Sequence, residues 1–307
     1  MIRTAKDYAL LALKGIAMGT ADIIPGVSGG TIAFITGIYE ELIQTIRGVK
    51  PALLKPLIKG DFATFWKEAN GSFLLFLLSG IALAVISLAK LMKYLLANHE
   101  IWVWSFFFGL IIASALLVSR QVKTWDIKKY ISLVAGASIA FYITVATPAE
   151  TPTDLWFIFL SGALAICAMI LPGISGAFIL LLLGKYEYIV GALGDFNLMV
   201  ISVFILGCVI GLLSFSHVLG YMFRHYHDVT VALLTGFMIG SLNKVWPWKE
   251  TITTRINSHG EIVPVIQENV FPANFEGEPY MFAALMLAIL GFVIVAGLEY
   301  LGKKIQG

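Results

Sequence analysis

The chain has 307 residues, 59% of them hydrophobic and only 13% charged, with a formal net charge of +2. Soluble domains carry roughly half apolar and about a quarter charged residues, so this balance excludes a disordered chain, a nucleic-acid binder and an ordinary cytosolic enzyme. It fits an integral membrane protein with several spans, and the two cysteines, Cys167 and Cys208, both lie in apolar runs that offer no disulfide framework or metal cluster.

In chain order, the first predicted element is a long window at about 8–47, interrupted by Pro25-Gly26. A basic, proline-containing stretch follows at Val49–Asn70. Three windows without any Asp, Glu, Lys or Arg come next: Gly71–Ala89, Ile101–Ser119 and Tyr130–Ala149. A second long window, at about 155–190, is interrupted by Pro172-Gly173. Its uncharged core, Leu155–Gly184, would be about 45 Å long as one helix, against a hydrocarbon core of about 30 Å. The last spans are Phe196–Phe223, Val229–Asn243 and Tyr280–Leu298, with a long polar loop at Lys244–Pro279. No run of ten-residue alternating segments suggests a barrel, and no cleavage site follows the basic N-terminus as in a signal peptide.

The two interrupted windows are copies. Gly15 to Ile43 aligns on Gly162 to Val190 at a constant offset, matching Pro25-Gly26-Val27-Ser28-Gly29 to Pro172-Gly173-Ile174-Ser175-Gly176. Gly37, Tyr39 and Glu40 match Gly184, Tyr186 and Glu187; further on, Gly80, Tyr94, Gly109 and Ser114 match Gly207, Tyr221, Gly236 and Ser241. If each window enters and leaves on one side, fifteen of the 21 Lys and Arg residues fall on the face that also holds both termini. The positive-inside rule makes that face cytoplasmic. Each half is then a hairpin plus three spans, an odd number of crossings, so the halves insert in opposite senses. The expected fold is an all-α polytopic membrane protein with an inverted-topology repeat, residues 1–150 and 151–307, a plan common among secondary transporters.

The hairpin tips carry the chemistry. Pro25 and Pro172 stop the inbound limbs, and Gly26 and Gly173 permit the reversal. Ser28 and Ser175 are expected N-caps of the outbound limbs. The N–H groups of Gly29, Gly30 and Thr31, and of Gly176, then lack intrahelical acceptors. Such groups must be satisfied within a membrane, and a helix start suits an anion such as phosphate, a carboxylate or a hydroxylated ligand.

Asp22 is the one acid in the first inbound limb, and its counterpart is Met169. Two roles suit it: carrying a coupling H⁺ or Na⁺, or bonding to the freed backbone near Pro25. Glu40 and Glu187 would lie about 22 Å beyond their prolines along unbroken helices, as interfacial acids or gating groups. Lys14, Arg47, Arg120 and Lys185 are the nearest candidate cations for a phosphate, with Lys14 expected to snorkel toward the cytoplasm. Trp102, Trp104, Trp246 and Trp248 read as an interfacial aromatic belt. His225 and His227 do not face each other on a helix, so no metal is expected, nor any other cofactor.

The run Gly15-Ile16-Ala17-Met18-Gly19-Thr20-Ala21-Asp22-Ile23-Ile24-Pro25-Gly26-Val27-Ser28-Gly29-Gly30-Thr31 resembles the signature of a bacterial membrane family of undecaprenyl-phosphate (polyprenyl-phosphate) translocases, long classed as a domain of unknown function. Leu171-Pro172-Gly173-Ile174-Ser175-Gly176 looks like that family's second motif. The resemblance implies a flippase in the bacterial cytoplasmic (inner) membrane. It would return undecaprenyl phosphate to the cytoplasmic leaflet for cell-wall and other envelope glycan synthesis, with membrane lipids and no nucleic acid as partners. The competing expectation is a secondary carrier for a small soluble anion. A prenyl-pyrophosphate phosphatase would need a nucleophile, base and cation cluster, and none recurs in the spans.

Overall fold

The computed structural model describes residues 3–24, 27–149, 151–256 and 262–306. Pro25 and Gly26, at the predicted first break, and Glu261 in the long loop lie outside the described residues. The first limb, α1 (Ala5–Asp22), begins at a capping box in which Thr4 and Asp7 satisfy each other's backbone N–H groups. The outbound limb is not one helix. It is α2 (Gly29–Ile35), then a break at Gly37, then α3 (Tyr39–Gly48).

Gly37 has φ +72°. The Ile38 N–H donates to the Ala33 carbonyl and the Gly37 N–H to the Phe34 carbonyl, at 3.0 and 3.1 Å. That pair of bonds is a Schellman stop, which needs the left-handed conformation glycine adopts without strain. The second hairpin repeats the device. After α9 (Leu155–Ile170), α10 (Gly176–Leu182) stops at Gly184 (φ +60°), where Lys185 and Gly184 donate to the Leu180 and Leu181 carbonyls, before α11 (Tyr186–Gly194). α10 and α11 are bent by 105°. Glu40 and Glu187 therefore do not sit 22 Å along unbroken helices, because a glycine stop turns the chain first. The signal was present in the matched Gly37 and Gly184.

Two short helices, α4 (Leu54–Ile58) and α5 (Phe62–Glu68), fill the basic stretch. A helix lies over each of the six predicted span windows: α6 (Gly71–Asn98), α7 (Glu100–Ser119), α8 (Ile127–Val145), α12 (Leu198–His225), α13 (His227–Ser241) and α14 (Met281–Gln306). Of these, α6, α7 and α12 meet both the length and the hydropathy needed to cross a bilayer alone. The chain is a helical, multi-pass membrane protein. Its outward faces are apolar, with Ile86 and Phe282 about four-fifths exposed, as lipid contact requires and a soluble surface would not tolerate.

Close glycine contacts set the helix pairing. α1 packs along α6 and α9 along α12. A Cβ on Gly15 would lie 2.3 Å from the Leu77 carbonyl, and one on Gly207 2.0 Å from the Phe159 carbonyl. α7 packs along α14, and α13 along α8, with Gly109 against Ala288 and Gly236 against Leu133 in the same manner. Small residues let backbones approach where hydrophobic driving force between helices is absent. The second pair of contacts exchanges partners: the third long helix of each half lies on the second long helix of the other.

One element departs from the all-α expectation. The loop at Lys244–Pro279 contains an antiparallel ribbon, β1 (Lys249–Ile256) and β2 (Ile262–Asn269), paired from Lys249–Asn269 to Ile256–Ile262. Its β-branched residues (Thr251, Ile252, Thr253, Thr254) suit a strand.

Candidate functional site: the meeting hairpin tips

The first tip is tied off by its own acid. The Gly29 N–H donates to Asp22 Oδ1 at 2.7 Å. The Gly30 N–H donates to the Ser28 cap hydroxyl at 3.0 Å, and the Thr31 N–H to the Ser28 carbonyl at 3.0 Å. These three N–H groups of the first tip thus find acceptors, and for Gly29 it is a carboxylate. A Cβ at residue 29 would lie 2.5 Å from Asp22 Oδ2, so a side chain there would displace the carboxylate from its present place.

The two tips touch. The Ser28 hydroxyl points its single proton at the Met169 and Leu171 carbonyls, 3.0 and 3.1 Å away. The Gly173 N–H donates back to Thr31 Oγ1 at 2.9 Å. A Cβ on Gly30 would lie 2.3 Å from the Ile170 carbonyl. Ser28 and Thr31 are both essentially sealed from solvent. In such a place each bond is hard to replace, because an unpaired backbone group costs its full desolvation.

The second tip is built alike but capped differently. Ser175 accepts a long, 3.5 Å contact from the Phe178 N–H. Met169 replaces Asp22 and brings no carboxylate to Gly176, whose near neighbour is the Ala165 carbonyl. Gly173 (φ +83°) leans on Phe237 and Ser241 of α13.

Residues 18–263 match the VCA0040-like family model, described as undecaprenyl phosphate translocase-like. The chain belongs to this family. It is 48% identical over 302 residues to the polyprenyl-phosphate transporter of Vibrio cholerae serotype O1, covering 97% of this chain and 98% of the relative. It is 35% identical over 253 residues to the polyprenyl-phosphate transporter of Staphylococcus aureus, covering 76% and 85%. No solved structure matches. The family and both relatives are transporters, not enzymes.

The candidate cations are not gathered at the family motif. Lys14 Nζ donates to the Thr36 carbonyl at 2.7 Å, at the far end of α2 from Ser28. Lys185 Nζ, buried, donates to the Thr151 carbonyl at 2.7 Å, beyond the far end of α10. In both cases a carbonyl without a helical partner has claimed the ammonium. Arg47 lies against Gly220 of α12, and Arg120 is exposed at the end of α7. Glu40 Oε1 stands 3.4 Å from His227 Nε2, and Glu187 sits in the first turn of α11, so neither acid is at the tips.

A second charged cluster was missed. Trp104 and Trp248 are buried rather than belted at an interface. The Trp104 indole N–H donates to Glu100 Oε1 at 2.9 Å, and Lys249 Nζ sits 3.8 Å from the centre of the Trp104 ring. Lys244 and Lys249, two cations bracketing two tryptophans, were the available signal. Their common destination was hidden until the ribbon folded back.

Proposed function

We propose that this protein moves a polyprenyl phosphate, undecaprenyl phosphate in the first instance, from the outer to the cytoplasmic leaflet of the bacterial cytoplasmic membrane, supplying the carrier for envelope glycan synthesis. Residues 1–150 and 151–307 act as inverted repeats, with both termini cytoplasmic. The two hairpins are the elements that rearrange, and their tips hold the phosphate in transit.

The observation that carries this reading is the contact of Ser28 with the second tip, beside a helix start that already holds a carboxylate. A phosphate monoester arriving there competes with Asp22 for the Gly29 N–H. The displaced carboxylate then stands in an apolar site without its donor and takes up H⁺ or Na⁺, since an unpaired buried charge is costly. Substrate entry and ion uptake become one exchange. Ser175 and Gly176, with no acid in competition, complete the cradle from the other half. The relatives' names support the lipid substrate, and the charge distribution supports the sidedness.

The test is reconstitution in liposomes with a short-chain polyprenyl phosphate whose leaflet is read by accessibility to an added phosphatase. Transfer by wild type, competition by polyprenyl phosphate but not by the free alcohol, and loss in Ser28→Ala/Ser175→Ala support the reading. Transport of inorganic phosphate without lipid transfer overturns it in favour of a soluble-anion carrier.

A further inference from the structure

The chain leaving α13 brings Lys244 over the second hairpin and Lys249 over α7. Lys244 Nζ lies 4.4 Å from the centre of the Phe178 ring, in the first turn of α10. Lys249 Nζ donates to the Lys244 carbonyl at 2.7 Å while resting on Trp104. Burial pushes the Lys249 ammonium down to about 7, Lys244 adds to the shift, and Glu100 opposes it. Burial lowers Lys244 as well, again against Glu100. The charge of Glu100 acts on both lysines, and its carboxylate accepts from the Trp104 indole N–H. With both lysines protonated the cluster carries surplus positive charge in poorly hydrated surroundings, a situation that an incoming anion relieves.

An apolar cleft adjoins it. A cavity of about 400 Å³ is lined by Phe108, Trp246 and Trp248 on one side and by Phe282 and Leu285 of α14 on the other. Phe282 and Leu285 are 79% and 60% exposed, so the cleft opens on the lipid-facing surface. A cationic head site beside a slot open to lipid matches an amphiphile with an anionic head and a hydrocarbon tail.

We propose that Lys244 and Lys249 form a receiving site for the phosphate head of a polyprenyl phosphate on the face that carries the 244–279 loop, with the tail entering past Trp246 and Phe282. The charge of Glu100 offsets that of the two ammonium groups until phosphate takes over part of its role. The inference rests on the functional reading above for its substrate, and adds a head site on the outer flank of the second tip, which it meets through Phe178.

The test uses the full chain in nanodiscs with a short-chain polyprenyl phosphate, the free polyprenol and inorganic phosphate. Binding is read by tryptophan fluorescence and by protection of Lys249 from an amine-reactive reagent. Lys249→Met and Lys244→Met are each expected to weaken polyprenyl-phosphate binding about tenfold, the scale of one charge-assisted hydrogen bond, while Lys249→Arg stays within about threefold of wild type. Glu100→Gln, which keeps the oxygen that accepts from Trp104, is expected to tighten binding, an effect that a purely structural role would not give. Protection of Lys249 by polyprenyl phosphate, but not by polyprenol or inorganic phosphate, supports the site. Equal protection by inorganic phosphate overturns the lipid as its ligand. Wild-type binding with unchanged affinity in both Met variants overturns this site alone, whereas no wild-type binding overturns the functional reading and the site with it.

Discussion

Asp22 Oδ1 and the Gly29 N–H, seven residues apart, are joined by a 2.7 Å hydrogen bond that closes the first hairpin on its own carboxylate. Asp22→Asn keeps an oxygen for Gly29 and removes the charge. Its thermal stability is expected to stay within about 1 kcal/mol of wild type, while Asp22→Leu, leaving the N–H unpaired, loses about 1–3 kcal/mol. Lipid transfer is expected to fall in both variants. Melting curves and transfer rates on the same preparations check this; parallel loss of both in Asp22→Asn would assign Asp22 to packing alone.

Gly30 faces the Ile170 carbonyl with no room for a Cβ, and that obstacle is backbone. Gly30→Ala is expected to push the tips apart at a cost of about 1–3 kcal/mol, with loss of transfer. Gly191→Ala in α11 has open space around it and is expected to gain about 0.5–1 kcal/mol from helix propensity. A denaturation series on the pair separates the effect of tip contact from that of glycine replacement in general.

Thr31 Oγ1 is the acceptor for the buried Gly173 N–H. Thr31→Val preserves shape and removes that acceptor, for an expected loss of about 1–3 kcal/mol. Thr31→Ser restores the oxygen and is expected to recover most of it. If Val and Ser variants melt together, the bond between the tips contributes nothing.

Lys249 gives stability and binding opposite pH slopes. Its pKa of about 7 in the fold lies below the roughly 10.4 of an unfolded lysine. Between those values the unfolded chain binds more protons, so stability rises with pH. Phosphate capture needs the ammonium, so affinity falls as pH passes upward through 7. Lys244 and Glu100 are the charged groups acting on it. Melting temperature and polyprenyl-phosphate affinity measured from pH 6 to 9 are expected to diverge in wild type, and both slopes to flatten in Lys249→Met.

Much of this protein follows from the sequence taken alone. Apolar runs of span length, the proline–glycine breaks, the serine caps and the repeated motif are local properties, set by residues within a turn or two of each other. The structure has helices where those runs predicted them, and Ser28 and Ser175 cap α2 and α10. The glycine stops at Gly37 and Gly184 are equally local, but a largely apolar run reads as continuous helix. The strand pattern from Thr251 to Ile256 was passed over because no barrel was in prospect.

Tertiary structure alone decided the rest. Ser28 and Leu171 are 143 positions apart, and Lys249 reaches Trp104 from a different half of the chain. Nothing in a window of twenty residues says which carbonyl will claim Lys14, whereas the bond of Asp22 to the freed backbone past Pro25 was one of the two roles its position offered. Such partners are chosen when glycine-lined helices fix the distances between backbones. An ionisable group withdrawn from water then bonds to the acceptor or ring the packing leaves nearest, because in a poorly hydrated interior leaving it unpaired costs more than any local preference could supply.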